Sequence, residues 1–207
     1  MRYYFIFVVL FFGIITAAAV NRLDITVELK PGNHTFLVTE VEPQALTRII
    51  RDIQHSDKTK PYYLYINSGG GQVIPGLLFI EQLKAFDHVI CISNLAASMA
   101  FSITQACKVR YVLETSMLMQ HQISGGTSGS VSEIEKALGF MKALAHLLNK
   151  MDADRLGLNI EEFKKRVAKD WWLIGADAIL ENKAADALVK IRCSEELNKA
   201  SICPIGF

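Results

Sequence analysis

CISNLAASMAFSITQAC, Cys91–Cys107, is the stretch on which the fold turns. A β-branched run from Val89 to Ile92 reads as a strand that stops at the polar Ser93 and Asn94, and small residues carry the chain through Ser98 into an apolar segment of helical length. The pattern is strand, tight turn, helix. At a helix N-terminus the dipole and unpaired N–H groups favour developing negative charge, and the small Ala96, Ala97 and Ala100 let backbone and substrate come close to Ser98. A capping serine ahead of a buried alanine-rich helix accounts for the same residues, so Ser98 becomes a nucleophile only if other segments supply its partners.

Upstream, YYLYIN (Tyr62–Asn67) is a strand that runs into Ser68-Gly69-Gly70-Gly71. Consecutive glycines between a strand and a helix point to positive φ or to a close backbone approach. The helix, from about Ile74 to Phe86, carries Pro75 in its first turn. Downstream, Val109–Leu113 is a further strand, interrupted in character by Arg110 and Tyr111, and Met117–Met119 lead to Gln120-His121-Gln122 and a loop with Gly125, Gly126 and Gly129. Strands alternating with helices over short links predict parallel βαβ packing, an α/β fold in one domain.

Toward the N-terminus, alternation at Leu23, Ile25, Val27 and Leu29 before Pro31-Gly32-Asn33 predicts a hairpin reaching Leu37, and Pro43–Gln54 a helix. Toward the C-terminus, a long helix is expected from Ser132, capped with Glu135, to about Met151, with an apolar stripe from Ile134 to Leu148. Helices at Asn159–Ala168 and Gly175–Asn182 and a strand at Ala187–Ile191 follow.

The 207 residues suit one domain, and a net charge of +1 gives no reason to expect nucleic acid as a partner. Residues 1–19, with Arg2 ahead of an apolar run, read as a signal peptide or an uncleaved membrane anchor, which sets a domain at 20–192 and a tail at 193–207 outside the cytosol. A periplasmic or secreted location follows, with membrane contact only through the N-terminal segment. In that compartment Cys193 and Cys203 are expected to staple the tail, whereas Cys91 and Cys107, in apolar surroundings, are expected to be unpaired core cysteines. No spacing suggests a metal site, and no cofactor is expected.

Ser98, His121 and Asp170 each fall where an element ends. A Ser–His–Asp triad needs a hydroxyl, a neutral imidazole to take its proton, a carboxylate to orient that imidazole and N–H donors for the oxyanion, but spacing alone cannot bring the three together. Here a resemblance adds to the reading. LYINSGGG resembles the LYINSPGG segment of the caseinolytic (Clp) protease proteolytic subunit, NLAASMA its GxAASMG, MQHQISGG its MIHQPxGG and KDWWLIGADA its RDxFLSAxEA, in the same order over roughly Tyr62 to Val189.

The resemblance implies a ClpP/crotonase-like spiral of repeated ββα units with a protruding handle helix, and a homo-oligomer paired through that handle. It implies Ser98 as nucleophile, His121 as general base and Asp170 as orienting acid, with the N–H groups of Gly70, Gly71 and Met99 as the oxyanion hole. Gly69 departs from the family's proline, and Asn94 from its glycine. An exported chain cannot meet a cytosolic ATP-driven unfoldase, so the expected activity is an ATP-independent serine peptidase acting on peptides or unfolded polypeptides. A catalytically silent peptide- or protein-binding scaffold of the same fold is the alternative. Coenzyme A thioester chemistry and the serine–lysine chemistry of signal peptide peptidase A fit less well, given export and the matched His121 segment. His34, His55, His88 and His146 have no ligand-like partners, Lys164-Lys165-Arg166 reads as a solvated helix face, and at least one of Trp171 and Trp172 is expected in the core.

Overall fold

β3 (Tyr62–Ser68) sends its side chains alternately into two separate cores. Tyr62, Leu64 and Ile66 join a large cluster with Leu46, Ile49, Phe79 and Ile103, whereas Tyr65 joins a smaller one with Val27, Leu29, Ile92, Val189 and Leu197. The structure is a computed structural model that describes residues 25–200 and Cys203, so the expected leader at residues 1–19 lies outside the described residues.

In chain order the remaining elements are β1 (Ile25–Leu29), β2 (His34–Leu37), α1 (Pro43–Gln54), α2 (Val73–Leu83), β4 (Val89–Ala97), α3 (Met99–Ala106), β5 (Val109–Gln120), α4 (Val131–Leu156), α5 (Ile160–Val167), β6 (Trp171–Ile174), α6 (Ala176–Glu181), β7 (Ala187–Cys193) and α7 (Glu195–Lys199). The strands form one sheet in the order β1-β7-β5-β4-β3-β2, parallel throughout, with β6 added antiparallel to β5. This is the expected α/β architecture with a parallel sheet.

The N-terminal hairpin does not form. β1 and β2 are strands, but β1 pairs with β7 and β2 with β3, at opposite edges of the sheet. Only residues 30–33 join those edges, so the sheet curls on itself around the smaller core, which α7 closes with Leu197. Alternation identifies a strand but not its partner; here Val27 and Leu29 are buried against the residues of β7.

β4 also runs further than its polar residues suggest, through Ser93 and Asn94 to Ala97. Ser93 pairs with Val112 and Leu95 with Met117, so Asn94 is bulged out on one strand and residues 113–116 on the other. The buried Ser93 is accommodated because its Oγ bonds Thr104 Oγ1 (2.8 Å) and its carbonyl accepts from Ser116 Oγ (2.7 Å). The bulges bend each strand into two short ones, and the βαβ order becomes a series of ββα turns. The buried Arg110 of β5 is neutralised by Asp186, at 2.6 Å.

The N-cap of α4 lies two residues before the expected one. Ser130 is its N-cap and forms a capping box with Glu133, and Gly157, at φ 68°, ends it. Almost all of its first ten residues are exposed, including Val131, Leu138 and Phe140, and it enters the core only near Leu148. The helix thus stands out from the body as a handle. The cysteines are all paired among the described residues. Cys193 and Cys203 are bonded, and so are Cys91 and Cys107, which corrects the reading of the latter two as free core thiols. Both are buried, but one ends up under the other where β4 and α3 stack, with Cα atoms 6.0 Å apart.

Candidate active site

The glycine turn after β3 is held in place from outside. Val41 N–H donates to the Gly70 carbonyl and Gln72 N–H to the Val41 carbonyl, both at 2.8 Å. Gly70 has φ 98°, and a Cβ there would meet the Ala97 carbonyl oxygen at 2.6 Å and Ser98 Cβ at 2.7 Å. Gly71, at φ 150°, would meet Val41 in the same way. Two of the three glycines are therefore required by conformation and by contact; Gly69 has open space around it.

Ser98 is the residue between β4 and α3, at φ 54° and ψ −124°. A non-glycine residue in such a region costs about 1–3 kcal/mol and persists only where its surroundings hold it. Here its N–H donates to the Met119 carbonyl (2.9 Å), and its own carbonyl accepts the Phe101 N–H (3.0 Å), the first bond of α3. The side chain makes no cap bond to its helix. Instead, Ser98 Oγ lies 2.8 Å from His121 Nε2. The capping role is thus carried by backbone alone, and the hydroxyl is left for the imidazole.

His121 follows the last residue of β5, whose ladder with β6 pairs Gln120 with Trp171. His121 and Asp170 are the residues that adjoin this last pair. The two are not hydrogen-bonded: Asp170 is exposed, and among the described residues His121 Nδ1 has no hydrogen-bond partner. The structure therefore joins Ser98 to His121 directly and joins Asp170 to neither by a hydrogen bond.

Of the expected oxyanion donors, Gly70 N–H is already given to Ser68 Oγ, at 3.2 Å. Gly71 N–H and Met99 N–H have no partner among the described residues, Met99 because it is the first residue of its helix. Met99's side chain fills the space over Gly76, where a Cβ would come within 2.4 Å of it, and this contact packs α2 against the start of α3. Gly71, Ser98, Met99, His121 and Leu148 line a small cleft of ≈ 60 Å³. A larger groove of ≈ 310 Å³ between α1 and α2 contains no nucleophile–base pair and lies apart from Ser98.

Reading the sequence missed three residues under this cleft. Asp152 of α4 is fully buried, and its Oδ2 accepts from Ser102 Oγ (2.8 Å) and Gln120 Nε2 (2.9 Å). Burial pushes the Asp152 carboxyl up to about 7, against the lowering effect of those two bonds. One signal was visible: Gln120 is polar where the MIHQPxGG segment has isoleucine. Trp171 packs against Phe101 and Phe163 with Arg166 over its ring at 5.1 Å, whereas Trp172 is 45% exposed.

A hydroxyl on a strained turn, an imidazole within hydrogen-bond distance and two free N–H groups nearby can carry out acyl transfer. Comparison with protein families gives a match to the model described as Clp protease over residues 18–181, most of the chain.

Proposed function

The chain belongs to the Clp protease family, whose function is of the serine peptidase type, and on that premise we propose that it is an exported, ATP-independent serine peptidase that cleaves peptides or unfolded polypeptides. The observation that carries the proposal is the 2.8 Å contact between Ser98 Oγ and His121 Nε2 at a serine held in a strained conformation. In the proposed reaction Ser98 Oγ attacks the scissile carbonyl carbon while His121 Nε2 takes the hydroxyl proton. The oxyanion is received by Gly71 and Met99 N–H. His121 then protonates the leaving amine, and water, deprotonated by the same imidazole, releases the acyl group from Ser98. Asp170 orients His121 once its carboxylate turns toward the imidazole.

Two pairs of bonded cysteines support placement in an oxidising compartment, periplasmic or secreted, and the apolar segment at residues 1–19 supports export or anchoring. The exposed apolar residues of α4, Val131, Leu138 and Phe140, support pairing of subunits through the handle. The silent-scaffold alternative is weakened by His121 lying within reach of Ser98.

The test is labelling of the purified mature protein with a fluorophosphonate, set against Ser98→Ala. Labelling of the wild type alone is expected. Equal labelling of two folded proteins would rule the proposal out.

A further inference from the structure

Under Ser98 and His121 lies a polar cluster that no step of the proposed reaction uses. Asp152 Oδ2 accepts from Ser102 Oγ and Gln120 Nε2, and Gln120 Nε2 also reaches Ser102 Oγ at 3.0 Å. Both partners belong to the site. Ser102 sits one turn after Ser98 on α3 and gives its N–H to the Ser98 carbonyl (3.4 Å), and Gln120 Oε1 accepts the N–H of His121 (3.0 Å). All three side chains are buried.

Stability does not account for the cluster. A buried carboxyl is destabilising unless its oxygens are all satisfied, and Asp152 Oδ1 accepts no hydrogen bond among the described residues. Apolar side chains would fill the same space at less expense. What the cluster does achieve is geometric: one carboxyl on α4 fixes, through one bond each, the first turn of the serine's helix and the main chain of the histidine.

We propose that Asp152 is a positioning residue for the Ser98–His121 pair, holding His121 through Gln120 and the leading turn of α3 through Ser102. The proposal rests on the serine peptidase reading of the site. An ionised Asp152 holds its two donors by charge-assisted bonds, and a protonated one holds them more weakly. The groups that face it from α3 and β5 are the neutral Ser102 and Gln120, and its neighbours at one-turn spacing on α4 are Leu148 and Leu156. His121 is the titratable group next to Gln120.

The experiment is the rate of fluorophosphonate labelling of Ser98 from pH 5.5 to 8.5, in wild type and in Asp152→Asn, with folding checked by circular dichroism. The ratio of the two rates removes whatever pH dependence the wild type and the variant share. It is expected to rise from near one at pH 5.5 to tenfold or more at pH 8.5, with its midpoint near neutrality. A ratio that stays at one, or that is constant at any value across the range, overturns the proposal, since a purely structural carboxyl would act alike at every pH. If Asp152→Asn does not fold, Gln120→Leu, which cuts the link to His121 and leaves Asp152 in place, is expected to give the same pH-dependent loss; wild-type rates in that variant overturn it. A wild type that labels no faster than Ser98→Ala is a different failure, which removes the peptidase reading and this proposal with it.

Discussion

His121 and Asp170 each directly adjoin the terminal ladder pair of β5 and β6, Gln120–Trp171, His121 following one strand and Asp170 preceding the other, with no hydrogen bond between them. To act as the orienting acid, the Asp170 carboxylate has to turn toward the imidazole. If that rotation accompanies catalysis, Asp170→Asn removes the group that fixes the imidazole tautomer. Labelling of Ser98 is expected to slow by roughly 10²-fold or more, with no change in thermal midpoint. An unchanged rate would assign His121 and Ser98 to a dyad without Asp170.

The glycine turn makes a sharper structural claim. Gly70→Ala places a Cβ 2.6 Å from the Ala97 carbonyl oxygen and 2.7 Å from Ser98 Cβ, at a φ of 98°. It is expected to lower stability by about 1–3 kcal/mol and to abolish labelling, because the displaced atoms are Ser98 Cβ and the carbonyl oxygen of the residue before it. Gly69→Ala meets nothing within 4 Å and is expected to stay within about 0.5 kcal/mol of wild type. Urea denaturation of the two variants compares them directly, and equal midpoints would contradict the account.

Asp152 gives the folded protein a distinctive dependence on pH. Its carboxyl titrates at about 7 when folded and near the ordinary ~3.9 when unfolded, so between those values the folded state binds the extra proton. The sign follows: stability falls as pH rises through that window and is level above it, by up to about 4 kcal/mol for a shift of this size. Asp152→Asn lacks the fall. Relative to wild type, its denaturation midpoint is expected to rise between pH 4 and pH 8, and a constant difference would show that Asp152 does not titrate there.

Cys91 and Cys107 are 16 residues apart and enclose Ser98. Closing a segment of that length stabilises a protein by about 3 kcal/mol through the unfolded state. Replacing both cysteines with serine is expected to lose most of that, and denaturation with and without reductant should show the wild type falling toward the variant on reduction. A wild type indifferent to reductant would mean that the two thiols are unpaired.

Local signals were legible and relations between distant segments were not. Pro43 opens α1, Asn159 caps α5, and the alternation of β3 was plain, because each depends on residues close in sequence. The partners of β1 and β2, the passage of β4 through Ser93 and Asn94, and the Cys91–Cys107 bond depend on segments that meet only after folding. The start of α4 was misplaced because Ser132 and Glu135 repeat the spacing of the true capping pair, Ser130 and Glu133. Within the site, Ser98 and His121 were found through their segments, whereas Asp152 lies on α4 just beyond the helix end expected near Met151. Only its burial sets it apart.

The contact between Ser98 and His121 carries the whole functional account, and intact-mass spectrometry of fluorophosphonate-treated protein tests it most directly. For the wild type, a single adduct mapping to Ser98 is expected, and His121→Ala is expected to form it about 10³-fold more slowly. No adduct on Ser98, or formation at the same rate without His121, would contradict the claim that these two residues act as nucleophile and base.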